Sequence, residues 1–174
     1  MRRGTFFAPL TALFLLGAGC VELPDDCYDD PLRFTPRVLL EYFEYCYCCR
    51  DEAQYEKILD PDFTYILDRE HDGVPEHLEW GREEELTRFA ELCAACAECD
   101  MDLDLDFSES GDTEPDPGDT EFGIQDVEYT LRAFIGDTTY LLVGRADFHA
   151  VINDGDGPHW RLLELSGFER PDLP

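Results

Sequence analysis

The spacing of hydrophobic and polar positions predicts helices in the first half of the chain. Thr35 and Pro36 form a helix N-cap followed by proline in the first turn, and apolar residues then recur at helical spacing. We therefore predict an amphipathic helix over residues 36–49. Asp51 resembles the N-cap of a second, short helix. That helix should end before Pro61, because a residue preceding proline is disfavoured in the helical conformation.

A third helix is predicted to begin near Arg82. Glu83, Glu84 and Glu85 would lie in its first turn, where the helix dipole favours acidic side chains. Its expected buried stripe consists of Leu86, Phe89, Ala90, Cys93 and Ala97. This pattern predicts an amphipathic helix with one apolar face directed at the core.

Alternating apolar residues predict a first strand over residues 62–68, followed by a polar loop or hairpin region at 69–80. A second alternating segment, 101–107, has an acidic outer face. Three closing strands are predicted at about residues 122–135, 138–152 and 159–168, with turns at Gly136-Asp137 and Asn153-Asp154-Gly155. Helices followed by antiparallel strands predict an α+β domain, with the helices packed on a strongly curved, mainly antiparallel sheet.

The N-terminus has the features of an export signal. Arg2 and Arg3 precede an uncharged apolar segment at residues 5–19, which is shorter than the roughly 20 residues of a membrane-spanning helix. The segment from Leu16 to Cys20 resembles the lipobox of bacterial lipoproteins, except that Gly17 occupies the usual leucine position. An ordinary secretory signal is the alternative. We predict a signal peptide at 1–19 and lipidation of Cys20.

Lipidation would place the mature chain on a membrane surface outside the cytoplasm, either on the periplasmic side or at the cell surface. Residues 20–34 lack hydrophobic periodicity and are rich in Asp and Pro, so we expect them to tether the lipid to the domain. The chain has 41 acidic and 13 basic residues, a net charge of −28. Nucleic acid is therefore excluded as a partner, because binding it requires a clustered positive surface.

Several segments, in this order, resemble the nuclear transport factor 2-like, or SnoaL-like, superfamily. They are the phrase TPRVLLEYFEYCYCCRDEAQYEKILDPDFTYIL, the sequence from Trp80 to Leu86, and the closing strands VGRADFHAVI and HWRLLEL. The resemblance implies a cone-shaped sheet around an apolar pocket, over a domain at 35–170. An acidic segment at 108–121 is expected to be a disordered insertion.

Members of this superfamily include isomerases, cyclases and dehydratases as well as non-catalytic binding modules, so the fold does not determine the function. No motif position matches a catalytic residue of the enzymes. Glu164 shares an alternating face with Trp160 and Leu162, which makes it the one weak catalytic candidate. His149 and Asp147 are expected to point outward. The aromatic candidates for the pocket lining are Tyr65, Trp80, Tyr129, Tyr140 and Trp160.

Two cysteine clusters lie at the predicted ends of the first and third helices. Cys46 and Cys49 share one helix face, as do Cys93 and Cys96, and export favours disulfides. We predict at least one disulfide between the clusters. A thiolate metal site is the less favoured alternative, because the spacing matches no known motif. Neither a metal nor a cofactor is predicted.

Two functions fit this sequence. The first is a lipid-anchored extracytoplasmic binding or interaction domain, with a small apolar ligand or a second copy of the chain as partner. The second is a small-molecule isomerase, lyase or hydratase that acts in the cone. A buried, convergent pair of Asp, Glu or His side chains would favour the enzyme, and an apolar cone would favour the binding domain.

Overall fold

A computed structural model describes residues 35–71, 73–96, 101–108, 110, 115–153 and 159–171. The predicted signal peptide, Cys20 and the tether lie outside the described residues, as does part of the predicted insertion at 108–121. In the described part of the chain, no helix is both long enough and apolar enough to cross a membrane.

Within these described ranges, three helices precede or interrupt the strands: α1 at Pro36–Cys49, α2 at Glu52–Ile58 and α3 at Arg82–Ala95. The first two begin where their capping patterns predict, and α3 begins at Arg82 as expected from its acidic first turn. Proline starts α1, and the Asp51 carboxylate accepts a hydrogen bond of 3.0 Å from the Gln54 backbone N–H at the start of α2. The chain leaves α1 through Arg50, whose left-handed conformation has a φ of 55°.

The strands of the described residues form one mixed sheet in the order β2-β1-β6-β5-β4-β3, and of these strand pairs only β1–β6 is parallel. Their bounds are Leu59–His71 (β1), Val74–Gly81 (β2), Asp102–Asp106 (β3), Glu121–Ile135 (β4), Thr138–Asn153 (β5) and His159–Ser166 (β6). The predicted α+β class is confirmed: three helices pack on a six-stranded, mainly antiparallel sheet.

The polar segment 69–80, for which the sequence predicts a loop or hairpin, is a hairpin. It comprises the end of β1 and nearly all of β2. Its polar side chains pair across the two strands: Nε of Arg69 lies 3.0 Å from Glu76, and Nδ1 of His77 lies 2.7 Å from Asp68. These cross-strand pairs stabilise a hairpin whose composition alone resembles a loop.

The helices cover one face of the sheet with an aromatic core. The ring of Phe43 in α1 lies 5.6 Å from Phe148 in β5 and 5.8 Å from Phe168, which follows β6. Tyr55 of α2 stacks on Phe89 of α3 with ring centroids 3.9 Å apart. Such aromatic pairs contribute about 0.5–1.5 kcal/mol each beyond the area that they bury.

The face of β5 that points away from the helices is exposed to solvent, as its alternation predicts. Ala146, Phe148 and Ala150 are buried, whereas Leu141 and Val143 are 59% and 70% exposed. In α3 the buried stripe differs from the prediction. It consists of Glu85, Phe89, Leu92 and Cys93, and Leu86 is only partly buried. The helix is therefore rotated so that Glu85 faces the core.

Candidate functional site

A cavity of about 230 Å³ opens between the β1–β2 hairpin, α3 and the segment that follows β6. Leucine side chains and stacked rings form its apolar walls, and three arginines contribute positive charge. The lining residues are Tyr65, Leu67 and Arg69 of β1, Leu78 and Trp80 of β2, Arg88, Glu91 and Leu92 of α3, and Arg170 and Pro171 of the C-terminal segment.

A buried ion pair lies behind this cavity. The Glu85 side chain is fully buried, and that of Arg170 is 11% exposed. Glu85 Oε1 accepts hydrogen bonds from the Tyr55 hydroxyl and from Nη2 of Arg170. Its Oε2 accepts a bond of 2.9 Å from Nε1 of Trp80. Both carboxylate oxygens are thus hydrogen-bonded, which is what a buried charge requires to remain stable in the folded protein.

Arg170 is the member of this pair that reaches the cavity. Its Nη2 also donates to the Tyr55 hydroxyl over 3.2 Å, and its guanidinium lies 5.2 Å from the Tyr65 ring. Its Nε and Nη1 are buried and have no hydrogen-bond partner among the described residues. Burial alone would lower the pKa of Arg170, but Glu85 raises that pKa well above its usual value. The side chain is therefore a permanent cation with unused donors.

The tyrosines around the ion pair stay protonated. Burial raises the pKa of Tyr55 well above its ordinary value, and the charge of Glu85 raises it further. Burial likewise raises the pKa of Tyr65, although Arg170 opposes that shift. The Tyr65 hydroxyl donates a hydrogen bond to the Phe168 carbonyl oxygen. Both hydroxyls therefore act as hydrogen-bond donors rather than as bases.

One aromatic wall of the cavity is held by stacking. Tyr65 and Trp80 stack with centroids 4.1 Å apart and planes 13° apart. The guanidinium of Arg88 lies 4.4 Å from the Trp80 ring centre, and its Nη2 is 2.8 Å from Glu84. These contacts fix the indole, so that the wall is largely formed before any ligand binds.

The pocket candidates separate into two groups. Tyr65 and Trp80 line the cavity. Tyr129, Tyr140 and Trp160 are not among its lining residues. The Tyr129 hydroxyl instead accepts a hydrogen bond of 2.9 Å from the Glu169 backbone N–H.

Glu164, the weak catalytic candidate, lies on the outer face of the sheet, because a bulge interrupts β6. Ala150 pairs with Leu162, but the preceding residue, His149, pairs with Glu164. The extra residue, Leu163, reverses the alternation, so Leu165 is buried and Glu164 lies on the outer face beside His149. His149 is half-exposed there, with Nε2 3.9 Å from Glu121.

The predicted disulfides between the helix ends are absent from the described residues. Cys46, Cys49, Cys93 and Cys96 form no disulfide. The ends of α1 and α3 do meet, but Nη1 of Arg50 joins them by donating to the Cys96 carbonyl oxygen over 2.7 Å. A hydrogen bond, and not a disulfide, thus links the ends of the two helices. No group of three or more His, Cys, Asp or Glu side chains placed to hold a metal ion occurs in the described part of the chain.

The sequence analysis missed the central residues of this site, Glu85 and Arg170. Glu85 is the last of three consecutive glutamates, all of which suit an exposed first helical turn. The one signal available was its spacing of four residues from the buried Phe89, which places both on one helix face. Arg170 follows the last strand and belongs to no periodic pattern.

Comparison with solved structures identifies the class of fold. A conserved protein from Planctomyces limnophilus is 15% identical with a TM-score of 0.57, covering 75% of this chain and 90% of that chain. An NTF2-like protein of unknown function in nutrient uptake from Rhodospirillum rubrum is 14% identical with a TM-score of 0.52, covering 76% of this chain and 96% of that chain. No family model matches the sequence, and no curated protein matches it significantly.

A third structure has the same fold. It is a putative calcium/calmodulin-dependent protein kinase type II association domain from Thiobacillus denitrificans, 14% identical with a TM-score of 0.51, covering 80% of this chain and all of that chain. The fold of this chain is therefore nuclear transport factor 2-like, as its sequence segments predict. At such low identity the similarity establishes the fold and no activity.

Proposed function

We propose that this chain is a lipid-anchored extracytoplasmic binding domain, which holds a small ligand in the cavity beside Trp80 and Arg170 without transforming it. The export and anchoring rest on the N-terminal sequence up to Cys20. The binding role rests on one observation above all: Arg170 lines the cavity while its Nε and Nη1 lack hydrogen-bond partners. Because those two nitrogens are buried, a ligand acceptor group would satisfy them only if the guanidinium turns toward the cavity.

The state of Glu85 favours binding over catalysis. A carboxylate that acts as a general base must offer an oxygen to the proton that it removes. The oxygens of Glu85 already accept bonds from Tyr55, Trp80 and Arg170, and Glu85 is not among the cavity-lining residues. The one carboxylate in the lining is Glu91, an exposed residue of α3. The carboxylate of Glu85 positions Arg170 and Trp80 instead of acting on a substrate.

A cavity-filling variant tests this function. Leu78→Trp adds an indole to the cavity wall, whereas Leu141→Trp adds the same group to the exposed sheet face and serves as the matched control. The full-length protein, purified in mild detergent, would be screened by thermal shift against a panel of small acids, amides and alcohols. We expect at least one compound to stabilise the wild type and the control but not Leu78→Trp.

Two outcomes would contradict the proposal. If every stabilising compound acts equally on Leu78→Trp, binding occurs outside the cavity. If a compound that binds the wild type is converted to product at a rate proportional to enzyme concentration, the domain is an enzyme. Circular dichroism of both tryptophan variants checks that each is folded.

A further inference from the structure

We propose that the cavity selects small organic carboxylates, an inference that rests on the proposed binding function and specifies its ligand. The cavity combines arginine donors with apolar walls. That combination matches a molecule with a negatively charged head and a compact hydrocarbon body.

The first argument is the distribution of charge. The chain has only 13 basic residues against 41 acidic ones, yet three arginines line this one cavity. In a strongly acidic protein, a random pocket would be lined mainly by carboxylates. Each of the three is ion-paired with a glutamate outside the lining, but within the lining their guanidinium groups outnumber the one carboxylate, that of Glu91. The cavity wall therefore offers a ligand more N–H donors than acceptors.

The second argument is the unused hydrogen-bonding capacity of Arg170. A guanidinium has five N–H groups. Nη2 is engaged by Glu85 and Tyr55, while Nε and Nη1, which carry the other three, have no partner among the described residues. Leaving donors of a charged group unsatisfied is costly, so an anionic oxygen placed beside them gains more than a neutral one.

The third argument is the apolar wall, which favours an organic anion over an inorganic one. Leu67, Leu78 and Leu92 contribute hydrocarbon surface to the same cavity. An inorganic phosphate would leave that surface in contact with water, whereas a hydrocarbon body would cover it. A volume of about 230 Å³ is below the roughly 300–1,000 Å³ of pockets for drug-sized ligands, so the body must be small.

Calorimetric titration of the full-length protein with three probes tests the selectivity. Benzoate supplies a carboxylate on a small ring, benzamide is its neutral counterpart of similar shape, and inorganic phosphate is an anion without hydrocarbon. We expect benzoate to bind at least tenfold more tightly than either benzamide or phosphate. Arg88→Gln should weaken the binding of benzoate several-fold. The control Arg132→Gln removes an exposed, ion-paired arginine of β4 and should leave benzoate binding unchanged.

A paired variant isolates Arg170 without leaving a buried charge unpartnered. Glu85→Gln/Arg170→Gln removes both charges, and the preference for benzoate over benzamide should then fall at least several-fold. Equal binding of benzamide and benzoate to the wild type would overturn the carboxylate proposal while leaving the binding cavity intact. Phosphate binding as tight as benzoate would likewise overturn it. Benzoate binding that survives Leu78→Trp unchanged would overturn the proposed function itself.

Discussion

The Glu85 carboxylate accepts a hydrogen bond from Nη2 of Arg170, a residue 85 positions further along the chain. This contact joins the first turn of α3 to the segment after β6 and holds the cavity wall in place. Trp80 and Tyr55 share the same carboxylate. The stability of the core and the shape of the site therefore depend on one buried ion pair.

We expect Glu85→Gln to destabilise the protein by about 3 kcal/mol, because it leaves the Arg170 cation buried without its counter-charge. Removing both charges in Glu85→Gln/Arg170→Gln should cost less than the sum of the single changes. Urea unfolding measures the free energies. Glu84→Gln is the matched control: it breaks the exposed Glu84–Arg88 pair and should cost about 0.5 kcal/mol or less. If the losses of unfolding free energy in Glu85→Gln and Arg170→Gln add up to the loss in the double variant, the two side chains are not energetically coupled, which would contradict this prediction.

Glu44 should make stability depend on pH. Burial raises its pKa from 4.5 to about 7, with Asp104, Asp102 and Glu41 adding to the shift. Because the folded state binds this proton more tightly than the unfolded state, folding stability should fall as pH rises from about 4.5 to 7. Glu44→Gln should remove that loss.

The measurement is the unfolding free energy at several pH values. At pH 8 Glu44→Gln should be more stable than the wild type by about 1 kcal/mol, a figure reduced for solvent screening of this half-buried group. The advantage should disappear near pH 4.5. Glu83→Gln, in the exposed first turn of α3, controls for the change in net charge. An advantage for Glu44→Gln that is independent of pH would contradict this account.

We expect Cys46 and Cys93 to behave as inert buried thiols. Burial raises the pKa of Cys93 to about 12 and that of Cys46 further, so little thiolate exists at pH 8. Alkylation of both should be slow in native protein and rapid in denaturant, as measured by mass spectrometry of the peptides. A cross-link joining the Cys46 and Cys93 peptides without reductant would restore the disulfide prediction.

The proposed lipid anchor at Cys20 leads to a separate prediction. Cys20→Ala should abolish the incorporation of labelled palmitate and release the chain from the membrane fraction, because only that thiol would carry the lipid. Cys27→Ala, seven residues further along the predicted tether, should keep both properties. Unchanged labelling of Cys20→Ala would contradict the lipoprotein proposal without affecting the cavity.

Periodicity predicted those parts of the fold in which one face of each element is apolar. Pro36–Cys49 forms α1 with the bounds expected, and the strands from Glu121 to Ser166 lie within two residues of their predicted bounds, although bulges interrupt their alternation. The β1–β2 hairpin was less visible, because its stabilising pairs, Arg69–Glu76 and Asp68–His77, are themselves polar. Patterns within one strand do not reveal partners on the next strand.

The site was less predictable than the fold. Tyr65, on a predicted strand, and Trp80, at the end of the predicted loop or hairpin region, were found because large aromatic residues are natural pocket candidates. Glu164 was assigned to the wrong face of β6, because strict alternation along a strand does not reveal the single extra residue of a β-bulge. Glu85 was missed because a buried carboxylate is recognised by its partners, and Arg170 is distant in sequence.

The most direct test of the binding cavity is a crystal structure of the protein with 4-bromobenzoate, in which anomalous scattering locates the bromine. We predict a bromine peak inside the cavity bounded by Trp80 and Leu92, with the carboxylate within about 3.2 Å of a nitrogen of Arg170 or Arg88. A bromine peak only on the open sheet face near Leu141 and Val143, with no ligand density in the cavity, would contradict the account.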